Sequence, residues 1–223
     1  MDHGDHVSLL RNGVGPGDWA DLGSGEGAFT LALADLLGPH ARIYSVDRDG
    51  GALRRQRAAM ERRFPEARVD YRQADFTRPL DLPPLDGVVM ANSLHFVRDK
   101  RSVLDLVRNL LKPGGRLLLV EYNGDRGNPW VPYPLSYRSW ERLAAESGFV
   151  DTKLLATVPS RFFGAIYSAV SLRGNPRPNH AEVRRPHRDR GTGRGDLGLQ
   201  FGGANIPPGP SELTMTVCLP VSR

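Results

Sequence analysis

The chain has 223 residues, of which 39% are hydrophobic and 25% charged, and this composition predicts a folded domain with its own core rather than a disordered chain. No apolar run approaches the roughly eighteen residues of a membrane-spanning helix, and the first residues are acidic where a signal peptide would be basic, so we expect no membrane partner and a cytoplasmic location. The formal net charge is +5, but residues 174–223 hold 7 basic and 4 acidic side chains, so the net charge of residues 1–173 is only +2. So small a charge on the predicted domain argues against nucleic acid as a partner.

Short apolar runs alternate with amphipathic helical segments along the first 172 residues, the pattern of a parallel sheet covered by helices on both faces. The predicted parallel strands are residues 19–22, 43–46, 69–73, 87–91 and 116–120. The predicted helices are residues 7–10, 28–37 and 52–63, then one that carries Val103, Leu104, Val107, Leu110 and Leu111, and one that carries Trp140, Leu143 and Ala144. Prolines break the connection between the third and fourth strands, so we expect a shortened crossover there.

Two further strands are predicted at residues 152–158 and 163–172. Because only a short stretch around Pro159 separates them, they most simply pair as an antiparallel hairpin. The sequence therefore predicts an α/β fold with a mostly parallel seven-stranded sheet that ends in a C-terminal antiparallel hairpin.

Composition changes near Gly174, where a tail rich in glycine, proline and arginine begins. Glycine and proline supply 15 of its 50 residues, so we predict a domain over residues 1–173 and a mostly disordered tail over 174–223, strand-like only at 213–221. The arginines of the tail between Arg177 and Arg194 have no aromatic residue among them, which argues against RNA binding. The single cysteine, Cys218, predicts neither an intramolecular disulfide nor a metal site.

A glycine-rich turn with the sequence DLGSGEG follows the first strand at residues 21–27 and opens a helix. Its members that we expect to contact a ligand are Asp21, Gly23, Ser24, Gly25 and Gly27. Asp47 stands 20 residues after the last of these glycines, at the end of the second strand, where a carboxylate can accept both hydroxyls of a ribose. The combination predicts an adenosine-containing ligand.

The spacing of this turn bears on which adenosine ligand it holds. A dinucleotide fingerprint reads G-x-G-x-x-G, whereas this chain has glycines at Gly23, Gly25 and Gly27, so the fit to NAD is imperfect. Asp21 precedes the first glycine by two residues, and its carboxylate suits an ammonium better than a pyrophosphate. S-adenosylmethionine carries such an ammonium, and an NAD(P)-dependent oxidoreductase is the alternative.

With these motifs in place, residues 17–172 resemble a class I S-adenosylmethionine-dependent methyltransferase of Rossmann-like fold, in the small-molecule group similar to the ubiquinone and menaquinone biosynthesis enzymes. Besides the glycine turn, the resemblance rests on the ADF sequence at 74–76, ANSLHF at 91–96, LKPGGR at 111–116 and the terminal hairpin. It implies that the chain transfers methyl groups from S-adenosylmethionine to an unidentified small molecule.

The resemblance also implies roles for three residues outside the glycine turn. Asp75 would accept a hydrogen bond from the adenine amino group, Phe76 would stack on the adenine ring, and the region of Asn92 would hold the methionine end. Two of these residues have structural alternatives: Asp75 could cap the turn that contains Thr77, and Phe76 could belong to the core.

Methyl transfer is an in-line displacement that needs no covalent enzyme intermediate, but a hydroxyl acceptor would benefit from a base. The candidates are His95 and Glu121, at the carboxyl ends of adjacent strands, with Asp5 and His6 on an N-terminal segment that could form a lid. His95 could instead satisfy a backbone group. A protein that binds S-adenosylmethionine without turnover is a further alternative, because the reaction requires no diagnostic catalytic residue.

The acceptor site is expected beyond the fifth strand, at the carboxyl end of the sheet. Its candidate residues are Tyr122, Asn123, Trp130, Tyr133 and Tyr137. These aromatic side chains would suit a flat or apolar acceptor, or they could simply cover the sheet.

Overall fold

The computed structural model describes residues 1–160 and 164–174, which belong to one compact unit. The predicted tail, apart from Gly174, and its strand-like stretch at 213–221 lie outside the described residues, as does Phe163 at the start of the last predicted strand. No helix in the described part of the chain is long and apolar enough to cross a membrane.

Within the described residues, seven strands form one sheet, and five helices pack on it. The strands are β1 (Trp19–Leu22), β2 (Arg42–Asp47), β3 (Arg68–Gln73), β4 (Leu85–Ala91), β5 (Leu111–Tyr122), β6 (Phe149–Ser160) and β7 (Gly164–Arg173). The helices are α1 (His3–Leu10), α2 (Ala28–Leu37), α3 (Gly50–Arg63), α4 (Lys100–Leu110) and α5 (Tyr137–Glu146), and two single-turn 3-10 helices cover Gly38–His40 and Leu94–Phe96.

The strand order is β3-β2-β1-β4-β5-β7-β6. The first five strands are parallel, and β7 runs antiparallel to both β5 and β6. The predicted α/β class, the mostly parallel seven-stranded sheet and the antiparallel terminal hairpin are therefore confirmed. Because the strand order reverses between β1 and β4, a crevice forms at the carboxyl ends of these strands, the position at which open α/β sheets bind ligands.

The sheet buries apolar side chains on both faces, as its alternating strands require. In β5, Leu117 and Leu119 pack in the cluster beneath α4 and α5, whereas Leu118 and Val120 pack in the cluster beneath α1 and α2. Trp140 of α5 is completely buried in the first of these clusters. The prediction of helices on both faces is confirmed.

Side-chain caps set the starts of the helices and explain most differences from the predicted bounds. Asp49 Oδ1 accepts hydrogen bonds from the backbone N–H groups of Gly51 and Ala52, so α3 begins two residues before the predicted start at 52. Asp2 and Asp5 form a reciprocal capping box, so α1 begins at His3 rather than at residue 7.

The fourth and fifth strands differ from the prediction at the LKPGGR turn. Leu111 pairs with Leu85, and Arg116 pairs with Gly87, so residues 112–115 bulge out of a strand that was predicted to begin at 116. Gly114 has a φ of +72° in this bulge, which only glycine adopts without strain. The connection between β3 and β4 contains no helix, as the prolines predicted.

Candidate functional site

A cavity of about 360 Å3 opens at the carboxyl ends of the central strands. Four segments line it: Gly23 and Gly25 of the turn after β1, Asp47 and Arg48 after β2, residues 74–77 after β3, and Asn92, Ser93, Phe96 and Val97 after β4. All four segments were singled out from the sequence, and the topology brings them to one place.

The glycine turn passes close beneath the segment that follows β4. The backbone N–H groups of Gly23 and Ser24 both donate to the carbonyl of Val46, at 2.8 and 3.1 Å, which ties the turn to the end of β2. Gly23 has a φ of +78°, and a Cβ built on it would lie 2.6 Å from Cβ of Ser93. Any side chain at this position would therefore need both a strained backbone and a displaced neighbour.

A buried polar network supports the turn from below and was not predicted. Ser45 Oγ lies 2.8 Å from Ser24 Oγ and 2.9 Å from Oε1 of Gln56, which is fully buried on α3. Gln56 also lies against Gly27, where a Cβ would be 2.3 Å from its Cγ. The sequence signal for this network is a glutamine among the arginines of α3, three residues after the buried Leu53.

Asp47 spans the gap between the glycine turn and the start of α3. Its Oδ2 accepts a hydrogen bond from the Gly25 backbone N–H at 2.8 Å, and its Oδ1 accepts one from the Asp49 backbone N–H at 2.8 Å. Each carboxylate oxygen has a second lone pair, so the group is held rigidly and can still accept hydrogen bonds from a ligand.

Asp21 lies beneath the turn rather than on the cavity wall. Its side chain is buried against α2, where Thr30 Oγ1 donates to Oδ2 at 2.6 Å. Burial raises the pKa of this carboxyl to about 7; the Thr30 hydrogen bond opposes that rise, and the charge of Asp47 adds to it. A cation in the adjacent cavity would favour the ionised form.

Asp75 and Phe76 follow β3 on the far wall of the cavity. Asp75 Oδ1 accepts hydrogen bonds from the hydroxyl of Thr77 at 2.7 Å and from its backbone N–H at 2.9 Å, and these bonds hold the pKa of the exposed Asp75 carboxyl below its usual value. The turn-capping alternative is thus present in the structure, but it uses one carboxylate oxygen. Phe76 packs partly against the core and lines the cavity with the rest of its ring.

Asn92 occupies an unusual position at the end of β4. Its backbone has a φ of +51°, and its N–H donates to the carbonyl of Val120 at 2.8 Å. Its Oδ1 is buried and has no hydrogen-bond partner among the residues that the structure describes. A buried oxygen beside a cavity that lacks a hydrogen-bond partner can accept a hydrogen bond from a bound ligand.

His95 and Glu121 form a buried hydrogen-bonded pair next to the cavity. Glu121 accepts from the His95 backbone N–H with Oε1 at 3.0 Å and contacts His95 Nδ1 with Oε2 at 2.8 Å. The side chains are 4% and 0% exposed. An ionised Glu121 carboxylate can only accept, so the hydrogen of this contact would lie on Nδ1 and leave the lone pair of Nε2 free to accept a proton.

The predicted acceptor residues fall into two groups. Tyr122 and Tyr133 lie at His95: the Tyr122 ring is 5.7 Å from the imidazole, and the Tyr133 backbone N–H donates to the His95 carbonyl at 3.0 Å. The others secure the loop that leads into α5 or lie on its surface. Asn123 Oδ1 accepts from the Tyr137 N–H, the Tyr137 ring packs edge-on against Tyr167, and Trp130 is 74% exposed.

The N-terminal candidates serve α1 itself. Asp5 takes part in the capping box of that helix, and the His6 ring packs edge-on against Phe29 of α2 at 4.8 Å. Burial is the main cause that lowers the pKa of His6. Within residues 1–160 and 164–174, no three histidine, cysteine or acidic side chains gather to hold a metal ion.

Comparison with known sequences gives the family context of this site. Residues 20–117 match the methyltransferase domain family. An arsenite methyltransferase from Aquipseudomonas alcaligenes is 29% identical over 187 residues, which cover 69% of this chain and 54% of that protein. The ubiquinone/menaquinone biosynthesis C-methyltransferase UbiE from Teredinibacter turnerae is 32% identical over 118 residues, 52% of this chain and 47% of that protein. The chain spans about half the length of these curated relatives.

Comparison with solved structures supports the fold. The arsenic(III) S-adenosylmethionine methyltransferase CrArsM from Chlamydomonas reinhardtii aligns with a TM-score of 0.59 over 74% of this chain and 66% of that chain, at 20% identity. At such low identity the likeness concerns only the arrangement of helices and strands.

Proposed function

We propose that this chain, which carries a class I S-adenosylmethionine-dependent methyltransferase domain similar to UbiE, transfers a methyl group from S-adenosylmethionine to a small-molecule acceptor. The observation that carries the proposal is the cavity in which the glycine turn, Asp47 and Asn92 converge. S-adenosylmethionine is the cofactor of this domain, and when bound it supplies an electrophilic methyl group on a sulfonium. We assign the activity to residues 1–173, and a cytoplasmic location stays a prediction.

Two features of the cavity support its fit to this cofactor. The buried Oδ1 of Asn92 lacks a partner within the described part of the chain, and the ammonium of a methionine moiety would supply one. The turn presents backbone rather than side chains, because Gly23 has no room for a Cβ, while nothing lies within 4 Å of a Cβ position on Gly25. An elongated ligand can therefore approach the backbone directly.

The remaining cavity residues correspond to the other parts of such a ligand. We assign the ribose hydroxyls to Asp47, whose carboxylate is already oriented by two backbone N–H groups. We assign the adenine to Asp75, through the oxygen that the Thr77 turn does not use, and to Phe76, through its ring face. The negative charge of Asp21, which lies beneath the turn, would stabilise the bound ammonium of the methionine moiety.

His95 is the base that we propose for the acceptor. Glu121 orients the imidazole through Nδ1 and stabilises the cation that forms when Nε2 takes a proton, as the carboxylate of a catalytic triad does. Phe96, the next residue along the chain, lines the cofactor cavity, and its ring is 4.2 Å from that of His95. An acceptor bound at His95 would thus lie beside the cofactor cavity.

Calorimetric titration of the full chain with S-adenosylhomocysteine tests the cofactor assignment. We expect micromolar binding that Asp47→Ala weakens at least tenfold, because the two carboxylate oxygens otherwise accept from the ribose. Asp49→Ala is the matched control: this neighbouring acid caps α3, so its loss should leave the affinity nearly unchanged.

A parallel titration with NADH separates the alternatives. Selective binding of NADH would replace the proposal by an oxidoreductase, and binding of neither ligand would refute a nucleoside cofactor for this cavity. Tight S-adenosylhomocysteine binding without methylation of any acceptor in a broad panel would favour a non-catalytic binding protein.

A further inference from the structure

Lys100, the first residue of α4, is a half-buried cation beside the acceptor side of the site. Its Nζ donates to the carbonyl of Val97 at 2.8 Å, and Val97 lines the cofactor cavity. Among residues 1–160 and 164–174, no carboxylate forms an ion pair with this ammonium, although Lys112 pairs closely with Asp86 at 2.8 Å elsewhere. Lys100 has therefore lost part of its hydration without gaining a counterion.

Two carboxylates bear on Lys100, Glu121 through its charge and Asp99 as the preceding residue, and both are engaged with other partners. The charge of Glu121 acts on the ammonium, but both Glu121 oxygens are bonded to His95. The neighbouring Asp99 bonds to Ser102, at 2.6 Å to the hydroxyl and 3.4 Å to the backbone N–H. Burial lowers the pKa of Lys100, and the field of Glu121 opposes that change. A bound anion would therefore supply the counterion that Lys100 does not receive from these carboxylates.

One aromatic ring lies against Lys100, and a second lies against His95. The Lys100 ammonium lies 5.6 Å from the centre of the Tyr133 ring, and the Tyr133 backbone is bonded to His95. The Phe96 ring, 60% exposed, lies on the cofactor side of His95. A cation, a base and aromatic rings thus occur in one region. A planar molecule with one anionic group could pair with the cation, stack on the rings and place its reacting atom at the base.

We propose that Lys100 determines acceptor specificity by binding a carboxylate, and that the acceptors of this protein are small planar carboxylates, aromatic or conjugated. The inference rests on the proposed function, because it places the anionic group of the methyl acceptor at Lys100 and its reacting atom near His95. Tyr133 and Phe96 would contact the planar part. Lys100 therefore touches the substrate and discriminates by charge.

The test measures binding of three planar carboxylates, benzoate, cinnamate and 2-naphthoate, and of the three matching amides. The full-length protein is titrated in saturating S-adenosylhomocysteine, with Trp fluorescence and calorimetry as readouts. We expect at least one carboxylate to bind ten or more times more tightly than its amide. Lys100→Met should abolish that preference, Lys100→Arg should retain most of it, and the exposed Lys153→Met should leave it unchanged.

The inference is overturned if no carboxylate binds the wild-type protein better than its amide, or if Lys100→Met keeps the preference. The affinity for S-adenosylhomocysteine, measured first for each variant, separates this failure from failure of the proposed function. Unchanged cofactor affinity with no carboxylate preference refutes only the role of Lys100, whereas absence of cofactor binding to the wild-type protein refutes the methyltransferase itself. Circular dichroism of Lys100→Met verifies that the variant is folded.

Discussion

Asp21→Asn is expected to stabilise the ligand-free protein at neutral and alkaline pH and to flatten the dependence of its stability on pH. The Asp21 carboxyl is completely buried, and the Thr30 hydroxyl donates a hydrogen bond to it. Because burial raises its pKa, the folded state holds the proton more tightly than the unfolded state does. The resulting stabilisation is present at low pH and is lost as the pH rises through the folded pKa. The amide of asparagine carries no charge and has no such loss.

The magnitude follows from the two pKa values. The folded value of about 7 stands against 3.8 for the ordinary carboxyl. At about 1.4 kcal/mol per unit, the full loss above neutral pH is about 4 kcal/mol, of which about 2.5 kcal/mol falls between pH 5 and pH 8. The unfolding free energy of the wild-type protein should drop by that amount relative to Asp21→Asn over this interval.

Urea unfolding of both proteins at pH 5, 6.5 and 8 measures this difference, with equal m-values as the condition for comparison. Thr30→Val serves as a second variant: it removes the donor that favours the ionised carboxylate, so it should extend the loss of stability to higher pH. If the unfolding free energies of wild type and Asp21→Asn changed in parallel with pH, Asp21 would be ionised throughout this range. Burial would then not raise its pKa.

The glycine turn, a buried phenol and the cofactor site each give a further expected outcome. Gly27→Ala should lower the unfolding free energy more than Gly25→Ala does. Both positions have positive φ, which costs an alanine about 1 kcal/mol, but only at Gly27 would the new Cβ lie against Gln56, which adds about 1–3 kcal/mol. Equal losses of stability in thermal unfolding would contradict this. Tyr167→Phe should raise the unfolding free energy by about 1 kcal/mol, because the buried hydroxyl has no partner among the described residues, whereas a comparable loss would reveal a hydrogen bond in solution. S-adenosylhomocysteine should bind about tenfold more tightly at pH 8 than at pH 6, and calorimetry should show that binding releases a proton. Asp21→Asn should remove this pH dependence. A wild-type affinity that does not change with pH would place the ligand's ammonium away from Asp21.

The sequence predicts the fold well because each of its strands and helices carries a local signal. The strand at Trp19–Leu22 and the helix at Ala28–Leu37 agree with the prediction to the residue, since the glycine turn separates them and Gly38 ends the helix. The position of the site then follows from topology, because parallel strands deliver their following loops to one edge of the sheet. Bounds fail where a bulge or a cap intervenes, as at residues 112–115.

The orientation of side chains within the site is harder to predict from motifs. Asp21 belongs to the glycine motif, but its neighbours Ala20 and Leu22 both pack on the α4–α5 face, so the strand alternation turns Asp21 toward α2 and Thr30. Gln56 is distant in sequence from the turn that it supports. Lys100 resembles any surface lysine in the sequence, and only the packing of Val97 and Tyr133 around it shows that it is half-buried.

The two ends of the proposed site are built by different means, which explains why the sequence predicts a cofactor but no acceptor. The cofactor end depends on backbone geometry at Gly23 and on one carboxylate, Asp47, and both leave a motif with fixed spacing. The proposed acceptor end depends on the buried contact between Glu121 and His95, and a well-packed apolar pair could replace this contact with equal or greater stability. Under the proposed function, this buried pair would take a proton from the methyl acceptor, and that role would account for its position beside Lys100.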